Sequence, residues 1–117
     1  MKEKMKHNYK NNLILALGPM AGFTDAPFRG ICSQFGANST ITEMVSAMGL
    51  LNAPKDGGAY KQLLFVNENE KNCSAQIFGS NTQVCADAAK LIADMNKFTY
   101  IDINMGCPVK KIVGNGE

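Results

Sequence analysis

Apolar and polar positions along this chain switch repeatedly between a period of two and a period near 3.6. Leu13 to Leu17 is an unbroken apolar run of strand length, closed by Gly18-Pro19, and predicts a strand buried on both faces as in a parallel sheet. Pro19 to Gly22 reads as a loop. Asp25 and Pro27 then open a helix as N-cap and first-turn proline, with Phe28, Ile31, Cys32 and Phe35 at helical spacing and Gly36 at its end. Ser39 to Met44 is a short β-branched strand carrying Glu43 near its end, and Val45 to Asn52 reads as a helix stopped by Pro54 to Gly58. Tyr60 to Val66 is apolar enough to be ordered, but helix and strand patterns compete there. Cys73 to Phe78 alternates, with Ser74 and Gln76 on one face and Ala75 and Ile77 on the other. Thr82 to Met95 is the clearest helix, with Val84, Ala88, Leu91, Ile92 and Met95 in one stripe. Phe98 to Asn104 is a last strand. It places Ile101 and Ile103 on one face and Asp102 and Asn104 on the other, then runs into Met105-Gly106-Cys107-Pro108.

Strands alternating with helices imply βαβ units, a parallel sheet and an α/β fold. In such an array the C-terminal ends of the strands share one rim, which is where α/β proteins keep their chemistry. The unusual groups fall there: Pro19, Met20, Ala21 and Gly22 after the first strand, Glu43 after the second, Gln76 on the third, and Asn104 and Cys107 after the fourth. Each has a structural alternative. Pro19 to Gly22 can be merely a tight loop, and Cys107 a buried strand-end thiol. Gln76 can be an interior amide satisfied by a neighbour. Glu43 reads better as a paired structural carboxylate, and Arg29 as a solvated or helix-facing charge. Lys110 and Lys111 are either surface lysines or phosphate contacts.

Composition narrows the class. The 117 residues suit one small domain, and at 45% hydrophobic and 19% charged they can form a core. The net charge of +2 comes without a clustered basic face. Cys32, Cys73, Cys85 and Cys107 make no zinc-type spacing, so a metal site is not expected, and free thiols in a reducing compartment account for them. No apolar run approaches the ~20 residues of a membrane span. Met1 to Asn12 is Lys- and Asn-rich with no apolar core of a signal, and reads as a flexible lead-in to a domain over 13–117.

Four segments carry a resemblance. Pro19-Met20-Ala21-Gly22-Phe23-Thr24-Asp25-Ala26-Pro27-Phe28-Arg29, Thr42-Glu43-Met44, Ala75-Gln76-Ile77-Phe78-Gly79-Ser80, and Asp102-Ile103-Asn104-Met105-Gly106-Cys107-Pro108-Val109-Lys110-Lys111 resemble, in order and spacing, the tRNA-dihydrouridine synthases, especially the bacterial B-type branch. Gly18 stands where many relatives have Ala.

The resemblance implies the N-terminal half, about four βα units, of a (β/α)₈ TIM barrel, a fold of about 250 residues. It implies FMN as cofactor, NADPH as its reductant, tRNA as substrate and a cytoplasmic enzyme that converts uridine to 5,6-dihydrouridine. Pro19, Met20 and Ala21 match the segment lining the flavin, Gln76 the flavin-contacting amide, Asn104 a residue near the target uracil, and Cys107 the proton donor. Hydride from flavin N5 to C6 of uracil would be completed by a proton from Cys107 to C5. A thiol of ordinary pKa, about 8.5, is the right form for that role at neutral pH. The family's later flavin residues, its phosphate-holding loops and its helical domain do not match anything here, so the 117 residues alone are expected to bind FMN weakly or not at all and to be inactive. Other readings are a different FMN barrel, such as a dihydroorotate-type reductase, and a truncated RNA-binding remnant without catalysis.

Overall fold

A computed structural model describes residues 13–106. Five strands form one sheet: β1 (Ala16–Leu17), β2 (Ser39–Ile41), β3 (Val45–Ser46), β4 (Cys73–Phe78) and β5 (Tyr100–Ile103). Every pairing is parallel. β5 runs along one edge of β4, from Ser74 opposite Tyr100 to Ile77 opposite Ile103. β2 and β3 therefore share the other edge, and β1 pairs with β2.

β2 and β3 are two halves of one interrupted strand. Ile41 lies opposite Ser74 and Val45 opposite Ile77. Thr42, Glu43 and Met44 thus face only Ala75 and Gln76, which is a β-bulge with one extra residue. The predicted strand over Ser39 to Met44 is therefore longer and broken, and the helix expected from Val45 starts two residues later as α2 (Ala47–Leu51), with the Ser46 side chain capping Gly49 N.

With the bulge counted as one position, strand order in space follows strand order in sequence. A doubly wound sheet would instead reverse direction at a switch point. The in-order parallel sheet with its helices is the N-terminal part of a TIM-barrel architecture.

The apolar core lies between the sheet and α2 and α4 (Thr82–Ala93). Val45, Ala75 and Ile77 from the strands meet Ala47, Leu50, Ala88 and Ile92 from the helices. Alanines at the contact let the helices approach closely. The buried stripe of α4 runs through Ala88 and Ile92, with Val84, Cys85 and Ala89 beside it, whereas Leu91 and Met95 are exposed. The ambiguous segment forms a short helix, α3 (Tyr60–Leu63).

Two expectations fail near the start of the chain. Only Ala16 and Leu17 of the first apolar run pair, and Leu13, Ile14 and Leu15 are exposed. Ala16 is exposed and Leu17 half-buried, so burial on both faces is not achieved there. Helix α1 (Ala26–Gln34) begins as predicted, with Asp25 accepting a hydrogen bond from Phe28 N at 3.0 Å, and Gly36 follows it at φ +108°. Its rotation differs: Ala26 and Arg29 face inward, while Phe28, Ile31 and Phe35 lie outward.

Arg29 explains that rotation. It is fully buried, not solvated, and its Nε donates to Glu70 Oε2 at 3.0 Å. Its other nitrogens donate to the carbonyls of Thr24 and Phe65. A cation committed to three partners inside the fold fixes which face of a two-turn helix points inward.

Candidate active site

The loop after β1 is tightly wound. Phe23 N and Thr24 N both donate to Met20 O at 2.9 Å, and the Thr24 hydroxyl accepts from Met20 N at 2.9 Å and donates back to Met20 O at 3.2 Å. Gly22 adopts φ +83°, a left-handed conformation that glycine takes without steric cost. Its N–H donates to Glu43 Oε1 at 2.5 Å. Glu43 is thus a structural tie between the first two strand ends. The fixed loop leaves Met20 and Ala21 exposed and Pro19 half-buried.

The bulge supplies the next connection. The Thr42 hydroxyl accepts from Gln76 N at 3.1 Å, replacing a main-chain partner lost at the interruption. Met44 Sδ lies 3.8 Å from Asn104 Nδ2. One extra residue thereby lets consecutive side chains reach in different directions: Thr42 to β4, Glu43 to the first loop, Met44 to the end of β5.

Across β4 and β5 runs a row of hydrogen bonds. Gly106 N donates to Asn104 Oδ1 at 3.0 Å, Asn104 Nδ2 to Gln76 Oε1 at 3.4 Å, and Gln76 Nε2 to Asp102 Oδ2 at 2.6 Å. Gln76 and Asp102 are partners in register, so their side chains leave the same face of the sheet. Asn104 stands just past β5, held by its N–H to Ile77 O at 2.9 Å.

Beneath the first loop sits a buried ionic cluster. Glu70 accepts from Arg29 Nε and from the Thr40 hydroxyl on one oxygen, and from Asn67 N and Asn67 Nδ2 on the other. Burial alone would raise the Glu70 pKa. The Asn67 N–H, the Thr40 hydroxyl and Arg29 outweigh it and hold the carboxyl below its ordinary value. At nearby Cys73 burial and the Glu70 charge are not offset by the Thr40 hydroxyl and Arg29, and the thiol is pushed up to about 11. It is a core residue and not a nucleophile.

Of the residues singled out from the sequence, Pro19, Met20 and Ala21 sit in the loop after β1, Gln76 on β4 and Asn104 past β5. Gln76 and Asn104 are in direct contact. Among the described residues the Met20 loop is joined to them through the bulge. Cys107, Lys110 and Lys111, like the lead-in 1–12, lie outside the described residues.

Pattern reading missed the contact of Asp102 with Gln76. The alternation in Tyr100-Ile101-Asp102-Ile103-Asn104 had placed Asp102 on the right face, but only the register to β4 reveals its partner. Arg29–Glu70 carried no sequence signal, because 41 positions separate the two.

The rim offers two amides, of which Gln76 is buried, the thioethers of Met20 and Met44, exposed loop backbone and little free charge. That set suits an uncharged heterocycle with alternating donors and acceptors, such as the ring of a flavin, better than a metal ion. Among the described residues no group of three or more His, Cys, Asp or Glu is placed to hold a metal, and no helix is long and apolar enough to cross a membrane. An open groove of about 550 Å³ between α1 and the 65–69 segment includes none of the rim residues.

Comparison with known proteins follows the same residues. A family model described as Dihydrouridine synthase (Dus) matches residues 14–117. A probable tRNA-dihydrouridine synthase of Aquifex aeolicus is 39% identical over 108 residues, covering 92% of this chain and 33% of that protein. A probable tRNA-dihydrouridine synthase of Treponema pallidum is 42% identical over 107 residues, 92% of this chain and 30% of its own length. The tRNA-dihydrouridine synthase B of Vibrio parahaemolyticus is 46% identical over 107 residues, 91% of this chain and 31% of its own. The chain thus spans about a third of the length of the curated relatives it matches.

Proposed function

The chain belongs to the dihydrouridine synthase family, and from that premise we propose that it forms the N-terminal part of an FMN-binding barrel that reduces uridines of tRNA to 5,6-dihydrouridine, with NADPH as reductant. The observation that carries the reading is the row Asp102–Gln76–Asn104 at the strand ends, linked through the bulge to the Met20 loop. Polar groups specialised for a neutral ring are gathered from three separate segments of chain.

In this reading Pro19, Met20 and Ala21 line the flavin ring, the Gln76 amide meets its pyrimidine edge, and Asn104 lies toward the uracil. When bound, a reduced flavin supplies the hydride that the electron-poor C6 of uracil accepts. Negative charge then develops at C5 and the C4 oxygen, and the Cys107 thiol gives a proton to C5. The acid must be a thiol and not a thiolate, so an ordinary cysteine pKa serves it. The tRNA uridine must leave its stack to reach the ring, as in other base-modifying enzymes, and the reaction belongs in the cytoplasm where tRNA is found.

Cys107→Ala tests the assignment. In a full-length enzyme that carries this segment and is supplied with FMN, NADPH should still bleach the flavin absorbance, while dihydrouridine formation on unmodified tRNA should fall by at least about a hundredfold, the loss typical of a missing general acid. Undiminished tRNA reduction would remove Cys107 from its role. Preference for orotate or a small enone over tRNA would favour a different reductase.

A further inference from the structure

We propose that Asp102 is a positioning residue: it fixes which end of the Gln76 amide faces the rim, and so selects a ring that offers an imide N–H. The inference rests on the flavin reading above and adds the donor–acceptor sense of one contact to it.

The argument is one of direction. At ordinary resolution the two ends of an amide are told apart only by their partners. Here both ends of the row are groups with a single role. Gly106 N can only donate, and the Asp102 carboxylate accepts. Asn104 must therefore turn its oxygen to Gly106, which leaves its nitrogen toward Gln76 Oε1 at 3.4 Å. Gln76 must turn its nitrogen to Asp102, at 2.6 Å. Reversing the Gln76 amide would bring its oxygen against the carboxylate and its NH₂ against the Asn104 NH₂, two repulsive contacts at once.

Position then decides what a ligand meets. Asp102 pairs with Gln76 at the same level of the sheet. Asn104 stands two residues further along, roughly 6.6 Å nearer the rim at strand rise. The amide oxygen therefore faces the rim side and the nitrogen faces across to β5. A carbonyl oxygen carries two lone pairs, and the long Asn104 contact leaves one open. A ring edge arriving at that oxygen must bring an N–H. On a pyrimidine-type edge the carbonyls accept and only the imide nitrogen donates, so the Gln76 oxygen is set for that nitrogen and would repel either carbonyl.

The test compares FMN with N3-methyl-FMN, which lacks that donor, by titrating each into the flavin-free form of a full-length enzyme that carries this segment. Wild type should prefer FMN by about tenfold or more, the equivalent of one lost hydrogen bond at the ligand. Asp102→Asn keeps the shape but can donate as well as accept, which removes the shorter of the two contacts holding the Gln76 amide and leaves only the 3.4 Å contact to Asn104; the preference should shrink to within about threefold. Asp102→Ser, smaller and also able to donate, is the second variant should the first fail to fold, and should give the same loss. Because the readout is a ratio of two ligands on one protein, general destabilisation does not move it. A wild-type preference retained in the Asp102 variants, or absent from wild type that binds FMN well, overturns the inference and leaves the flavin reading standing. A wild-type protein that takes up no flavin overturns both.

Discussion

Replacing Glu70 by glutamine exposes how much the Met20 loop depends on a buried charge pair. The substitution is nearly isosteric, yet all four groups that Glu70 meets act as donors: Arg29 Nε, the Thr40 hydroxyl, Asn67 N and Asn67 Nδ2. A glutamine satisfies two of them with its oxygen and presents hydrogens to the other two. The Thr40 hydroxyl can rotate to accept; Arg29 Nε and the Asn67 N–H cannot. With the glutamine oxygen toward Asn67 the Arg29 Nε is left unmet, and with it toward Arg29 the two Asn67 donors are; at ~1.5–3 kcal/mol per bond to a charged group the loss is ~1.5–6 kcal/mol. Removing one partner of a buried pair typically costs ~3–5 kcal/mol, and both side chains here are essentially inaccessible, at 1% and 0%. We expect a loss of about 4 kcal/mol, which at ~2 kcal/mol per molar urea lowers the denaturation midpoint by about 2 M. Measured by urea unfolding with far-UV circular dichroism, a midpoint within ~0.3 M of wild type would refute the reasoning. Arg29→Met should cost less in the presence of Glu70→Gln than alone, since the second change then removes a charge already left unpaired.

Further outcomes follow from the same structure. Because the folded Glu70 pKa lies below the ordinary 4.5, its stabilisation is present above that value and is lost as pH falls through the lower folded one; the gap between wild type and Glu70→Gln should close in that acidic window and stay open at neutral pH. Cys73 behaves oppositely at high pH: unfolded thiol ionises near 9.0 while the folded one holds its proton to about 11, so stability should decline across that interval, visible as a falling melting temperature. In the native protein Cys73 should resist iodoacetamide at pH 8 and react only after denaturation, as read by mass spectrometry. Gly49→Ala should destabilise by ~1–3 kcal/mol despite alanine's better helix propensity, because the new methyl would lie 2.0 Å from the Tyr60 hydroxyl oxygen and the ring would have to move; an unchanged urea midpoint would contradict it.

What could be read from the sequence was what depends on local pattern. β4 and the start of α4 fall where alternation and helical spacing put them, and Asp25 and Gly36 mark the ends of α1 as capping chemistry requires. The gathering of Gln76, Asn104 and the first loop at one rim followed from parallel βα order alone. The failures were tertiary. The stripe Phe28, Ile31, Phe35 has the right period for a core face, but period cannot show that a buried arginine on the opposite side dictates the helix's rotation. The bulge at Thr42 to Met44 has no glycine or proline to betray it, because the irregularity is a mismatch with β4 and not a property of its own residues. Asp102 was visible as a polar residue on the right face; its consequence for Gln76 needed the register. Cys107 owes its proposed role to the family resemblance, not to coordinates.

The strand order has a bearing on how the molecule comes into being. With β2 and β3 taken as one interrupted strand, each described strand after β1 pairs with a neighbour already made, and none has to be inserted between two that precede it. As the polypeptide leaves the ribosome, every new layer can settle on the margin left by the last, with nothing downstream required first. Growth in one direction keeps a parallel sheet, otherwise slow to assemble, from waiting on distant partners, and it makes the advancing margin the surface that chaperones would have to shield.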